Sequence, residues 1–326
     1  MSFKKVMLTL VKLGVLAGIV YYLLLSGKLD LTKTGILWQH PWTMAAVTLV
    51  VLGFTNILIC YRGFLLLRVK HSSLSLFRLY FIHWISLFFA IALPGSLSGD
   101  GVKAYYIIKE SDQALKKTDI FTALIVDRFM GLFSIILIFF MVSALNLDIY
   151  RADPSLWPMG LIASAVALGM TLFFIIVTLP FNPERDLLGR LLALIPRGGL
   201  LVHLYVAFRA YHNHRFSLLI CLLISLVTQS SIIGAFYLIT PLVAEQTAGV
   251  MELAFAVPLS ELSTAIPLGP NGLGVGHIAF DYMYNLVHLK GGADAFNLFL
   301  IIRMSISLLG GIPYLLYRRR DGAPEV

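Results

Sequence analysis

The sequence predicts an all-α polytopic membrane protein with about six spanning helices and two opposed re-entrant helical hairpins that form an inverted repeat. Three observations carry that prediction. Of the 326 residues, 59% are apolar and 13% charged, against about 45–50% and about 25% in soluble domains. Apolar stretches long enough for a bilayer core about 30 Å thick recur along the chain, and the mean hydropathy is +0.87. Lys and Arg gather in alternate connections, as the positive-inside rule requires. This composition excludes a soluble enzyme, a disordered chain, a coiled coil and a disulfide scaffold. Cys60 and Cys221 lie in apolar stretches and read as small core residues.

Eight hydrophobic segments follow one another near 6–26, 41–61, 74–93, 120–147, 159–180, 216–241, 250–268 and 295–317. The first comes after Lys4 and Lys5 but lacks a small-residue cleavage site, so it reads as a retained signal-anchor. With a cytoplasmic N-terminus, residues 62–70, 182–215 and the C-terminal Arg318, Arg319 and Arg320 fall on the same side. The 27–40, 148–158 and 242–249 stretches, poor in Lys and Arg, fall on the other. That threading expects both termini on the cytoplasmic face of the inner membrane.

Segment 74–93 cannot cross, because the next polar stretch, with Lys103, Lys109, Lys116 and Lys117, must also be cytoplasmic. It is expected to break at Leu93-Pro94-Gly95-Ser96-Leu97-Ser98-Gly99 and return as a helix from Asp100. Segment 250–268 is expected to break at Pro267-Leu268-Gly269-Pro270-Asn271-Gly272-Leu273-Gly274, with 275–288 returning. The 182–215 connection, Leu-rich with Arg190, Arg197 and Arg209, suits an amphipathic helix on the cytoplasmic surface. Residues 1–326 thus read as a single integral membrane domain whose halves, 41–147 and 216–317, have opposite orientation. Both halves carry Pro with Leu three residues on, Pro94 with Leu97 and Pro270 with Leu273. Arg128 lies 34 residues past Pro94 (128 − 94) and Arg303 lies 33 past Pro270 (303 − 270). Interrupted segments in corresponding halves point to a midplane binding site.

Asp127, Arg128, Glu261 and Arg303 stand inside apolar segments, where each charge costs about 2.5–3.5 kcal/mol at the bilayer centre. They must face inward, pair, or meet water. Adjacent residues on a helix point about 100° apart, so Asp127 and Arg128 should each pair elsewhere. The expected partners are Arg128 with Glu261, and Arg303 with Asp100 or Asp127; such pairs serve a structural role as readily as a binding one. Each break restarts a helix whose N-terminus attracts anions, although Asp100 also suits a plain N-cap. With Lys103, Arg128 and Arg303 nearby, the polar part of a guest should be anionic. His83 and His277 read either as proton carriers or as hydrogen-bonded core histidines. His212 and His214 read as a solvated face rather than a metal site. The Gly272, Gly274, Gly276 string lacks the strand a dinucleotide site needs. No phosphate-binding loop, zinc-protease or serine-hydrolase motif stands in the sequence, so transport would be passive or ion-coupled. No cofactor, metal or nucleic-acid partner is expected. Gly14 and Gly18 form a GxxxG pair that supports close helix packing first and a homodimer second.

The two breaks resemble the flippase-like integral membrane family that includes the transmembrane domain of bacterial lysylphosphatidylglycerol synthase, over roughly residues 5–317. The residues that carry this are Pro94-Gly95-Ser96-Leu97-Ser98-Gly99-Asp100 with Lys103, then Asp127-Arg128, then Pro267 through Pro270-Asn271-Gly272-Leu273-Gly274 with His277. Three positions depart from the family's pattern: Lys103 stands for an arginine, Asn271 for a glycine and His277 for a glutamate. The resemblance implies translocation of lipid between leaflets. It does not imply aminoacyl transfer, which in the synthase takes a soluble catalytic domain, whereas Val326 stands just past the last span. The expectation is therefore a transporter rather than an enzyme, a flippase or scramblase for an anionic phospholipid or a polyprenyl-phosphate-linked lipid. Its binding residues would be Pro94, Gly95, Gly99, Asp100, Lys103, Asp127, Arg128, Glu261, Pro270, Asn271, Gly272, Gly274, His277 and Arg303. The rivals are a membrane transferase or phosphatase using Asp100, Asp127 or Glu261 as base, and an ion or small-solute transporter.

Overall fold

The computed structural model describes residues 35–92, 98–111, 115–152, 154–178, 199–244, 246–266 and 270–320. The expected first span with Gly14 and Gly18, the break residues Pro94 and Gly95, Pro267, and residues 182–198 of the connection lie outside them. Among the described residues every regular element is helical: α1 Ile36–Gln39, α2 Pro41–Ala46, a π-helix Val47–Phe54, α3 Thr55–Val69, α4 Leu76–Ala92, α5 Ser98–Glu110, α6 Lys117–Leu145, α7 Asp148–Ala152, α8 Trp157–Thr178, α9 Gly199–Arg209, α10 Arg215–Ala244, α11 Val250–Thr264, α12 Val275–Leu286, α13 Gly292–Leu309 and α14 Gly311–Arg320. Four stretches are long and apolar enough to cross a membrane: Lys117–Leu145, Trp157–Thr178, His212–Ala244 and Gly292–Tyr317. The chain is a polytopic all-α membrane protein.

The expected span at 41–61 is carried by α2, the π-helix and α3, and the helix does not stop at Arg62 but continues to Val69. A buried partner for Arg62 makes that continuation tolerable, as shown below. The chain divides into two compact units: Met1–Ile57 with Tyr80–Lys103 and Ser230–Val326, and Leu58–Leu79 with Ala104–Gln229.

In the first unit, α11 and α12 run antiparallel, with the Ser260 hydroxyl 3.4 Å from the Ala279 carbonyl. An aromatic core joins α10, α12 and α13. Phe280 stacks on Phe236 at 4.6 Å and on Phe296 at 4.8 Å, and Phe299 closes on Phe236 at 4.9 Å. The Tyr284 and Thr240 hydroxyls meet at 2.9 Å beside it. Such ring pairs contribute about 0.5–1.5 kcal/mol each beyond area burial, which matters where lipid removes the usual hydrophobic drive between helices. Tyr314 of α14 packs on Phe88 and Phe89 of α4.

In the second unit, Phe129 of α6, Phe173 of α8 and Phe208 of α9 form a triangle with ring separations of 5.6, 4.8 and 5.5 Å. The described part of the 182–215 connection is thus a helix whose apolar face docks on α6 and α8, burying Tyr205, Ala207 and Phe208.

Helices α4 and α5 form an antiparallel pair. Arg78 reaches Glu110 at 3.5 Å at one end, and Gly99 lies against Ser86 and Ala90 at the other. At about 1.5 Å per residue, the 17 residues of α4 and the 13 of α5 are each shorter than a bilayer core. The same holds for the 15 of α11 and the 12 of α12.

Candidate functional site

The break between α11 and α12 is built from left-handed backbone. Asn271 has φ 51°, Gly272 φ 78° and Gly274 φ 88°, a region closed to most side chains but open to Gly and accessible to Asn. A Cβ on Gly272 would collide with the Thr264 side chain, so the position also demands the absence of a side chain. His277 is the third residue of α12, and its Nδ1 accepts a hydrogen bond from the Gly274 backbone N–H at 3.4 Å. That is the reach-back half of a capping box, a task glutamate usually performs. The ring is fully buried and meets Phe296 edge-on at 5.0 Å. Histidine here therefore supplies the cap a glutamate would, without a carboxylate.

Close to this break, Glu261 of α11 meets Arg303 of α13 at 3.7 Å. The contact is an ion pair without a hydrogen bond, and Glu261 Oε1 is buried with no hydrogen-bond partner. The Arg303 side chain is 37% exposed, the Glu261 side chain 11%. The Asn271 Nδ2 is likewise buried and unbonded. A buried polar atom left unsatisfied costs about 1–3 kcal/mol, and Glu261, Asn271 and His277 each carry one beside this helix break. The expected pairing of Arg128 with Glu261, and of Arg303 with Asp100 or Asp127, is corrected. Arg303 and Glu261 belong to one unit, and the antiparallel packing of α11, α12 and α13 makes them partners.

At the other break Pro94 and Gly95 lie outside the described residues. The helix that follows places Asp100 in the first turn of α5, where a carboxylate offsets the positive end of the helix dipole. Gly99 approaches the Ser86 backbone closely, since a Cβ there would sit 3.2 Å from that carbonyl oxygen. Lys103 is 4% exposed and has neither ion pair nor hydrogen bond among the described residues.

Asp127 belongs to the second unit, and its partner is one that the sequence reading assigned to the cytoplasmic flank. Arg62 Nε donates to Asp127 Oδ1 at 2.6 Å, and Arg62 Nη1 donates to Ser225 Oγ at 2.6 Å. The Arg62 side chain is buried and the Asp127 side chain is largely so, 7% and 13% exposed. Gly131, one turn beyond Asp127, faces the guanidinium, which a Cβ there would meet at an ordinary contact distance of 3.7 Å. The neighbouring Arg128 keeps its Nη1 buried in this unit. A signal for Arg62 did stand in the sequence: the run Phe64-Leu65-Leu66-Leu67 continues past it, and Arg68 and Lys70 mark a later boundary. His83, weighed as a proton carrier, bonds the Asn56 amide oxygen at 3.0 Å and so behaves as a satisfied core residue. Among the described residues no group of His, Cys, Asp or Glu is arranged to hold a metal.

Helices long and apolar enough to cross a membrane, two pairs of shorter helices, and charges gathered at the break between one such pair define the class: a polytopic helical membrane protein. The family described as the lysylphosphatidylglycerol synthase TM region matches residues 9–310, and the chain belongs to it. That membership ties the protein to lipid metabolism at the membrane. No curated protein and no solved structure matches the chain.

Proposed function

We propose that the protein is a transporter, not an enzyme, that moves an anionic phospholipid or a polyprenyl-phosphate-linked lipid between leaflets. The observation that carries this reading is the loose Arg303–Glu261 pair, 3.7 Å apart with Glu261 Oε1 unbonded. A pair built only for stability closes into hydrogen bonds, as Arg62 and Asp127 do at 2.6 Å. A phosphate would give Arg303 the bidentate contact that the carboxylate does not, and Glu261 is the internal anion it displaces. Lys103, a buried cation of the same unit with no ion pair among the described residues, would attract the same charge. Acyl or prenyl chains would remain in the bilayer.

In this reading the α4–α5 and α11–α12 pairs are re-entrant hairpins. Helices of about 18–25 Å stop short of the far surface, and irregular backbone at membrane depth persists only when it lines a cavity or is buried in protein. The halves 41–147 and 216–317 would be inverted repeats in the cytoplasmic membrane, both termini cytoplasmic. The test is a proteoliposome assay following loss of fluorescent phosphatidylglycerol from one leaflet. Parent protein should accelerate exchange over empty vesicles. Arg303→Ala should slow it about tenfold or more, the equivalent of one charge-assisted hydrogen bond at about 1.5–3 kcal/mol. Equal rates for parent and variant would remove Arg303 from the mechanism, and parent rates no faster than empty vesicles would end the transport reading.

A further inference from the structure

We propose a second anion site, remote in sequence from the break and independent of the transport reading, for a phosphate ester at the polar end of the second unit. There a cavity of about 330 Å³ is lined by Lys70, His71, Asp119, His212, Asn213 and His214. These residues come from the end of α3, the start of α6 and the turn before α10. The helices that begin there, Lys117–Leu145 and His212–Ala244, are long enough to cross the membrane. The cavity therefore sits at the level where lipid headgroups and water meet.

The lining itself carries one cation, Lys70, and one carboxylate, Asp119, but the segments that supply it are predominantly basic. In residues 68–71, 115–119 and 209–215 there are six Lys or Arg (Arg68, Lys70, Lys116, Lys117, Arg209, Arg215) and one carboxylate, Asp119. Segments with that balance raise the concentration of anions around the hollow. Lys70 is held in place rather than free to wander: its ammonium lies 3.4 Å from Asp119 and 5.0 Å over the Tyr211 ring. The platform beneath it is rigid, since Tyr211 is fully buried and its hydroxyl donates to the Leu66 carbonyl at 3.1 Å. Desolvation by burial pushes the Tyr211 hydroxyl far above its ordinary range, so the ring stays neutral and adds no negative charge. His212 Nδ1 donates to the Arg209 carbonyl at 2.8 Å, which sets the orientation of that ring. One positioned ammonium, three imidazoles and an amide in a hollow this size suit a phosphate with a small polar substituent, the head of a phospholipid or a free phosphate ester. The carboxylate is the internal competitor that keeps the ammonium poised.

The full chain in phosphatidylcholine nanodiscs tests this through the rate of diethyl pyrocarbonate labelling at His71, His212 and His214, read by peptide mass spectrometry. His288, exposed in the other unit, serves as internal reference. One arm adds sn-glycerol 3-phosphate against sodium chloride of matched ionic strength; the other replaces part of the lipid by phosphatidylglycerol. Protection of the three histidines relative to His288 is expected in at least one arm. The lipid arm alone would identify a headgroup, the soluble arm alone a free ester. Lys70→Gln should weaken the protection about tenfold, one charge-assisted contact. Asp119→Asn, which frees Lys70, should strengthen it, a gain that misfolding cannot mimic. Unchanged labelling in both arms for the parent and for Asp119→Asn would overturn the proposal.

Discussion

Arg62 and Arg303 are both guanidinium groups inside apolar helices, and their partners separate their roles. Arg62 spends its donors on Asp127 and Ser225 at 2.6 Å and is buried, so its work is to join α3 to α6 and α10. Removing one member of such a pair leaves the other charge stranded, a loss of about 3–5 kcal/mol, whereas replacing both by apolar residues is often neutral. Arg62→Met alone should therefore unfold at markedly lower temperature than the parent in a detergent melt, and Arg62→Met with Asp127→Leu should regain most of the loss. Failure of the double variant to recover would give the pair a role beyond packing. Glu261→Gln predicts the opposite behaviour. It should fold normally and, with the competing anion gone, retain more anionic lipid on purification, measured by mass spectrometry of the co-purified lipid.

At the scale of the element, the α11–α12 break tests backbone chemistry. Asn271→Gly should alter stability by less than about 1 kcal/mol, while Asn271→Val should cost about 1–2 kcal/mol, because a branched side chain resists the left-handed region. Thermal melts of the two variants check the order, and equal losses would contradict the φ of 51°. Retention of the helix start is expected in His277→Gln, which can still accept from the Gly274 N–H; His277→Leu should lose about 1 kcal/mol, the worth of one cap. Asn271 can hold this turn because φ preference is a property of the residue itself. The sequence reading left the contribution of His277 open, since a ring at the third position of a helix shows its cap only when the Gly274 N–H is seen to aim at Nδ1. The helix through Arg62 was likewise truncated in the sequence reading, because an arginine's cost depends on a partner 65 residues away.

For the whole molecule, the threading predicts that Lys290 faces the outside and Arg318 the cytoplasm. Single cysteines at these positions should react with an impermeant maleimide in intact cells at 290 and not at 318. Background should be low because Cys60 and Cys221 are both buried. Labelling at 318 would invert the threading and with it the assignment of the cavity at Lys70 to the cytoplasmic side.

By itself the sequence determined the solvent, the helical class and the family. Each follows from composition, period or single-residue backbone preference, which act over a few neighbouring residues. Only the tertiary structure decided which charge meets which: Arg62 with Asp127 rather than a cytoplasmic flank, Arg303 with Glu261 rather than Asp100 or Asp127, and Lys70 over Tyr211 beside a hollow. Coulomb energy in a low-dielectric interior depends on separations of a few ångströms, and those separations are set by how helices far apart in the chain pack together.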